Sequence, residues 1–133
     1  MDLELKHRPD LGLLYARLSG AVSLAEAKRT FLQILQGIEQ HRVGKVLVDA
    51  LAVTGVPTTM ERFHYGEFVA EGVFETCSRA KLNTPRFAYV LVEPLLDRER
   101  LGETVAVNRG VAARTFKNIQ DALEWLGIEP AGI

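Results

Sequence analysis

The hydrophobic positions of this chain alternate between the two-residue period of a strand and the longer period of a helix. Apolar and polar residues alternate over residues 3–7, and a second apolar run follows at 13–18. The turn-forming residues Pro9, Asp10 and Gly12 lie between the two runs, so this segment predicts a hairpin. Three later apolar runs, each short enough for a buried strand, lie at residues 45–49, 87–92 and 112–116.

Helical spacing of apolar residues separates these strands, and the helix starts carry capping signals. Glu26 follows Ser23 by three residues, and Glu61 follows Thr58, which is the capping-box pattern. Asn118 is suited to a third N-cap. The helices are expected at residues 24–41, 59–80, 96–109 and 119–126. Because strands that alternate with helices favour right-handed crossovers, we predict an α/β fold with a mostly parallel five-stranded sheet, an N-terminal hairpin and about four helices.

Composition agrees with one globular domain over residues 1–133 and argues against several classes of protein. The apolar fraction is 47%, the charged fraction 25% and the net charge −1, so there is no overall field for nucleic acid or an anionic membrane. No apolar run approaches the roughly 20 residues of a membrane span. The first residues do not resemble a signal peptide, and Cys77 is the single cysteine, which excludes an intrachain disulfide. We expect a cytoplasmic protein.

The first candidate site is the segment that follows the third predicted strand. Residues 49–57 are unusually apolar for a connection, and ligands of open parallel sheets bind beyond the carboxyl ends of the strands. One hypothesis is a crevice for a small apolar or lipid-like ligand. The alternative is that this loop packs on its own sheet or on a second subunit. The crevice candidates are Asp49, Leu51, Val53, Val56 and Glu93, the last leaving another strand at the same end.

A second candidate is a phosphorylation site at Thr58 or Thr59. Both residues lie at a predicted helix N-terminus, where a phosphate would meet free N–H groups and the positive end of the helix dipole. N-capping by itself also explains a threonine at position 58. Both interpretations stay open.

The helix at 59–80 predicts a surface for self-association. At 100° per residue its core face is expected to contain Phe63, Gly66, Ala70, Val73, Phe74 and Cys77. Tyr65, Phe68 and Val69 then point away from the core and need a cover, for which a symmetric dimer is the commonest solution. A ligand, a protein partner or simple exposure are the alternatives.

No pattern in the chain indicates catalysis, a metal or a cofactor. Nucleophile-elbow, dinucleotide-binding and P-loop sequences do not occur. Glu61 and His64 have the spacing of a carboxylate-bridged metal site, but such sites need a second pair and two further carboxylates. Cys77 lies on the expected core face, where a thiol acts as a small hydrophobe. We therefore expect a protein that is not an enzyme.

Several segments together resemble the SpoIIAA-like (STAS/SEC14-domain) family of small bacterial proteins. These segments are GAVSLAEA at 20–27, KVLVDA at 45–50, Thr54-Gly55, ETVAVNRG at 103–110, Phe116 and DALEWL at 121–126. The resemblance implies the fold of anti-sigma-factor antagonists and sulfate-transporter tail domains. It also implies a regulatory serine within an Asp-Ser step, and this chain lacks that step in the matching region between Asp49 and Thr59.

Taken together, these features leave the function unknown and favour a non-catalytic binding or interaction domain that acts as a homo-oligomer. The alternatives are a carrier or sensor of a small apolar or lipid-like ligand, and a phospho-regulated interaction switch of the anti-sigma-factor-antagonist type.

Overall fold

The computed structural model describes residues 1–132 and contains one five-stranded sheet with the strand order β1-β2-β3-β4-β5. β1 pairs with β2 antiparallel, and the other neighbours are parallel. This architecture confirms the predicted α/β fold. The elements are β1 (Asp2–Arg8), β2 (Leu13–Ala21), α1 (Leu24–His41), β3 (Lys45–Thr54), α2 (Thr59–Ala80), β4 (Arg86–Val90), α3 (Leu101–Asn108), β5 (Ala112–Phe116), α4 (Ile119–Leu126) and a 3-10 turn at Pro130–Gly132.

The sheet has a hydrophobic core on each face. Alternate residues of β3 point to opposite sides, so Val46 and Val48 contribute to one core while Leu47 contributes to the other. The larger core receives side chains from α1, α2 and α3, among them Phe31. The smaller core is closed by α4, with Leu123 and others of its residues. Three helices therefore cover one face of the sheet, and one short helix covers part of the other.

The predicted caps differ in how completely they form. At α2 the capping box is complete: the Glu61 amide donates to the Thr58 hydroxyl (3.1 Å), and the Thr58 amide donates to the Glu61 carboxylate (2.8 Å). At α1 the Ser23 hydroxyl accepts from the Glu26 amide. The Glu26 carboxylate instead accepts from the Arg29 guanidinium and the terminal amine, because these charged donors bind a carboxylate more strongly than a neutral amide does.

Two element boundaries differ from the sequence prediction. β3 continues to Thr54 rather than ending at Asp49, because β2 pairs alongside it as far as Ala21. The third helix begins at Leu101 rather than near residue 96. Arg100 has a φ of 50°, which is incompatible with a right-handed helix, and the segment before it is a loop that contains the cis peptide between Glu93 and Pro94.

The core face of α2 is rotated relative to the prediction. Val69 is 2% exposed, and Tyr65 and Phe68 pack against the core with their rings near Phe31. Phe74, expected in the core, is 74% exposed. The expectation that Tyr65, Phe68 and Val69 point away from the core is therefore wrong. The physical reason is that α2 lies between α1 and α3, so the buried arc of α2 is set by those neighbours as well as by the sheet.

Candidate ligand-binding site

A cavity of about 200 Å³ lies beyond the carboxyl ends of β3 and β4. The first turns of α1 and α2, the loop after β4, and parts of α3 and β5 enclose it. Its position is the one where open parallel sheets bind ligands. Most of its walls are aliphatic, including Leu18, Val48, Val53, Val69, Leu91 and Ala106.

Two tyrosines contribute a pair of hydroxyl groups to this mostly apolar cavity. The hydroxyl oxygens of Tyr65 on α2 and Tyr89 on β4 are 2.9 Å apart, and their rings meet edge to face at 6.3 Å. Burial raises the pKa of Tyr65 to about 12 and the pKa of Tyr89 well above its ordinary value. Both phenols therefore carry their protons at neutral pH.

The proton count of this pair leaves one donor unused. Two neutral hydroxyls carry two hydrogens, and the bond between them uses one. Within residues 1–132 neither hydroxyl has another hydrogen-bond partner. Both residues line the cavity, so a ligand with an acceptor oxygen can take the second hydrogen.

Arg62 forms one side of the rim by holding the loop after β4. Its Nη2 donates to the carbonyl oxygens of Pro94 (2.9 Å) and Leu95 (3.2 Å). Its Nε is buried without a hydrogen-bond partner among the described residues and lies 3.7 Å from Asp97 Oδ1. The Asp97 carboxylate in turn accepts from the Leu101 amide. This chain of contacts joins α2 to the start of α3 across the cavity wall.

The charged residues on the other side of the rim also have partners in the protein. Glu103 Oε1 accepts from the amide (2.5 Å) and the hydroxyl (3.1 Å) of Thr115. Arg100 Nη1 donates to the Thr115 carbonyl at 3.1 Å. Glu103 and Arg100 are therefore engaged with the backbone, and the tyrosine pair offers a neutral hydroxyl donor to a molecule in the interior.

The predicted crevice residues fall on both faces of the sheet. Val53 and Val56 line the cavity. Asp49 and Leu51 do not line it. The register of β3 against β2 shifts between Asp49 and Ala52, so Val53 faces the cavity although Asp49 lies on the opposite face of the sheet. There the Asp49 carboxylate accepts from the Tyr15 hydroxyl (2.7 Å) and the Leu51 amide (3.1 Å). Glu93 is exposed in the loop after β4, outside the cavity lining.

The predicted phosphorylation residues are exposed at the N-terminus of α2. The Thr58 hydroxyl accepts the capping bond from Glu61, so a structural role accounts for this side chain. Thr59 follows it as the first residue of the helix.

Sequence reasoning missed Tyr89 and Arg62 as parts of the site. A phenol within an otherwise apolar strand was an available signal, because a buried tyrosine hydroxyl usually has a polar partner. Arg62 carried no such signal, since its role depends on a loop more than thirty residues away in sequence.

The described part of the chain shows no metal centre and no membrane-spanning helix. Among residues 1–132, no group of three or more His, Cys, Asp or Glu side chains could hold a metal ion. None of the helices in this range is long and apolar enough to cross a bilayer. Cys77 is buried, and burial raises the pKa of its thiol, which disfavours the nucleophilic thiolate.

The fold is that of the anti-sigma factor antagonists, the SpoIIAA-type class that the sequence segments resemble. A solved structure of an anti-sigma factor antagonist from Mycobacterium paratuberculosis superimposes over 95% of this chain and 93% of its own, with a TM-score of 0.57 and 15% identity. At that identity the likeness establishes the fold alone. No protein-family model matches the sequence, and neither does any curated protein.

Proposed function

We propose that this chain is a non-catalytic binding domain whose ligand is a small, mostly apolar molecule with one hydrogen-bond acceptor. The observation that carries the proposal is the Tyr65–Tyr89 hydroxyl pair, which has one hydrogen to spare and belongs to two residues that line a mostly aliphatic cavity at the carboxyl ends of the strands. A buried donor without an acceptor costs about 1–3 kcal/mol. A ligand oxygen that accepts this hydrogen therefore recovers free energy that an apolar ligand cannot.

The size of the cavity limits the part of the ligand that it encloses. An engineered cavity of about 150 Å³ lined by apolar residues binds benzene, and this cavity measures about 200 Å³. It therefore suits roughly eight to ten non-hydrogen atoms, judged from that benzene site. A longer apolar chain would continue out of the open side.

A matched pair of small probes tests this proposal. Acetophenone and cumene have nearly the same shape, but only acetophenone carries an acceptor oxygen. We expect calorimetric titration to show binding of both, with acetophenone tighter by about tenfold, the value of one hydrogen bond in a desolvated site. The double variant Y65F/Y89F should remove that preference, because it leaves no hydroxyl hydrogen for the ligand oxygen to accept.

A pair of variants on α1 controls for binding elsewhere on the surface. Ala27 lines the cavity, whereas Ala25 lies on the same helix, exposed and outside the lining. Ala27→Phe should abolish the binding of both probes, and Ala25→Phe should leave it unchanged. Equal binding by the two variants, or no preference for acetophenone in the unmodified protein, contradicts the proposal.

A phospho-regulated protein interaction is the second candidate, and the likeness to the fold of an anti-sigma factor antagonist favours it. Thr58→Asn is the informative variant, because asparagine retains an N-cap but cannot be phosphorylated. Intact-mass measurement of the protein from its own cells should show a phosphate on the unmodified chain. Thr58→Asn and Thr59→Ala should together remove that phosphate. A chain that never carries phosphate excludes this candidate.

A further inference from the structure

The two edge strands of the sheet differ in whether their outward backbone groups are bound. At the β5 edge, the outward amide and carbonyl of Thr115 are bound by Glu103 and Arg100, which occupy the groups that another strand would need. β1 forms the opposite edge and pairs with β2 alone. It is seven residues long, and its central residues Glu4, Leu5 and Lys6 are all exposed. An exposed edge strand of this length is a template for another strand.

The sequence of β1, DLELKHR, is complementary to itself in antiparallel pairing. Directly opposed side chains must lie on the same face of a sheet, so a two-fold symmetric pairing is centred on a single residue. Centring on Leu5 places Glu4 opposite Lys6 and Asp2 opposite Arg8, and each pair occurs twice. Centring on Glu4 or on Lys6 instead places like charges opposite each other at the axis. One register is therefore favoured by charge.

From this complementarity we propose that a second copy of this chain pairs with β1 in that register, joining two five-stranded sheets into one sheet of ten strands. Arg8 already pairs with Asp10 at 3.0 Å within its own chain, so the Asp2–Arg8 pairs at the ends of the interface contribute less. The Glu4–Lys6 pairs, nearest the axis, supply most of the specificity.

The surface beside β1 is compatible with this pairing. Leu5 is 42% exposed and lies next to Gly37 of α1, so pairing brings two Leu5 side chains together at the axis and removes both from water. The groove between β1 and α1 has a volume of about 270 Å³. Its helix side presents Gln33, Gln36 and Gln40. These three amides are uncharged, so they do not oppose the pairing of the two strands.

Charge exchange between positions 4 and 6 tests the register. Glu4→Lys and Lys6→Glu each turn two attractive cross-strand pairs into two repulsive ones. Each should raise the dimer dissociation constant about thirtyfold in sedimentation equilibrium, because two cross-strand pairs change from attraction to repulsion. The double variant E4K/K6E restores both pairs and should recover the dimer. An equimolar mixture of the two single variants should form heterodimers, because both positions are then lysine in one chain and glutamate in the other, so every 4–6 pair across the interface joins opposite charges.

Glu124→Lys controls for the change in net charge, since Glu124 is exposed on α4, away from the edge. This variant should dimerise like the unmodified protein, and circular dichroism should show every variant folded. A protein that stays monomeric into the hundred-micromolar range overturns the proposal. It is also overturned by a dimer that the single variants leave intact, or that E4K/K6E fails to restore, because either result places the interface elsewhere.

Discussion

Removing the hydroxyl of Tyr89 should destabilise the protein, because the Tyr65 hydroxyl is then left without a hydrogen-bond partner. In Tyr89→Phe, the Tyr65 hydroxyl loses its partner at 2.9 Å and stays inside the cavity wall. In Tyr65→Phe the roles are exchanged. The double variant Y65F/Y89F removes both hydroxyls, so no polar group is left without a partner.

The magnitude follows from the cost of an unpaired buried hydroxyl. Leaving one unsatisfied costs about 1–3 kcal/mol, whereas replacing both partners by apolar groups can be nearly neutral. Within that range, we expect each single variant to lower the free energy of unfolding by about 1–2 kcal/mol. The double variant should lose no more than either single variant, which corresponds to a coupling energy of about 1–2 kcal/mol.

This double-mutant cycle is measured by urea unfolding of the unmodified protein, the two single variants and Y65F/Y89F, followed by circular dichroism and by the fluorescence of Trp125. In calorimetry each single variant should unfold at a lower temperature, by about 3–5 °C per kcal/mol for a domain of this size. Independent sites give losses that add within about 0.5 kcal/mol. Additive losses in this cycle would refute the idea that the two hydroxyls form one buried unit.

Three further predictions concern packing, capping and pH. Gly66→Ala should lower the free energy of unfolding by about 1–3 kcal/mol, because its Cβ would lie 2.7 Å from the Gly102 carbonyl oxygen. Gly102→Ala meets only ordinary contacts and should be tolerated. The midpoints of urea unfolding compare the two variants. Thr58→Ala should cost about 1 kcal/mol and Thr58→Asn much less, because only alanine removes the cap of α2; the same urea midpoints measure both. The contribution of Tyr65 to the free energy of unfolding should be fully present below pH 10 and be lost as the pH rises towards 12. The reason is that folding raises the pKa of Tyr65 from 10.0 to about 12, so the folded chain binds that proton more tightly than the unfolded chain. Alkaline titration of Y65F/Y89F should show a smaller fall, and an unchanged profile contradicts this assignment.

Local patterns in the sequence determined most of the architecture. The capping box at Thr58 and Glu61 predicted the start of α2, and the alternation in β1 and β2 predicted the hairpin, because these features depend on residues a few positions apart. The position of a crevice beyond β3 also followed from the order of strands and helices, and Val53 and Val56 do line the cavity.

Only the tertiary structure decided which side chains meet in the site. β3 extends to Thr54 because β2 pairs beside it, and the register of that pairing shifts after Asp49, so Asp49 and Val53 lie on opposite faces of the sheet. The buried arc of α2 depends on how α1 and α3 pack against it, so Tyr65 faces the interior and Phe74 faces the solvent. Periodicity within one helix locates an apolar stripe, but the neighbouring elements determine how wide an arc is buried and where its centre lies.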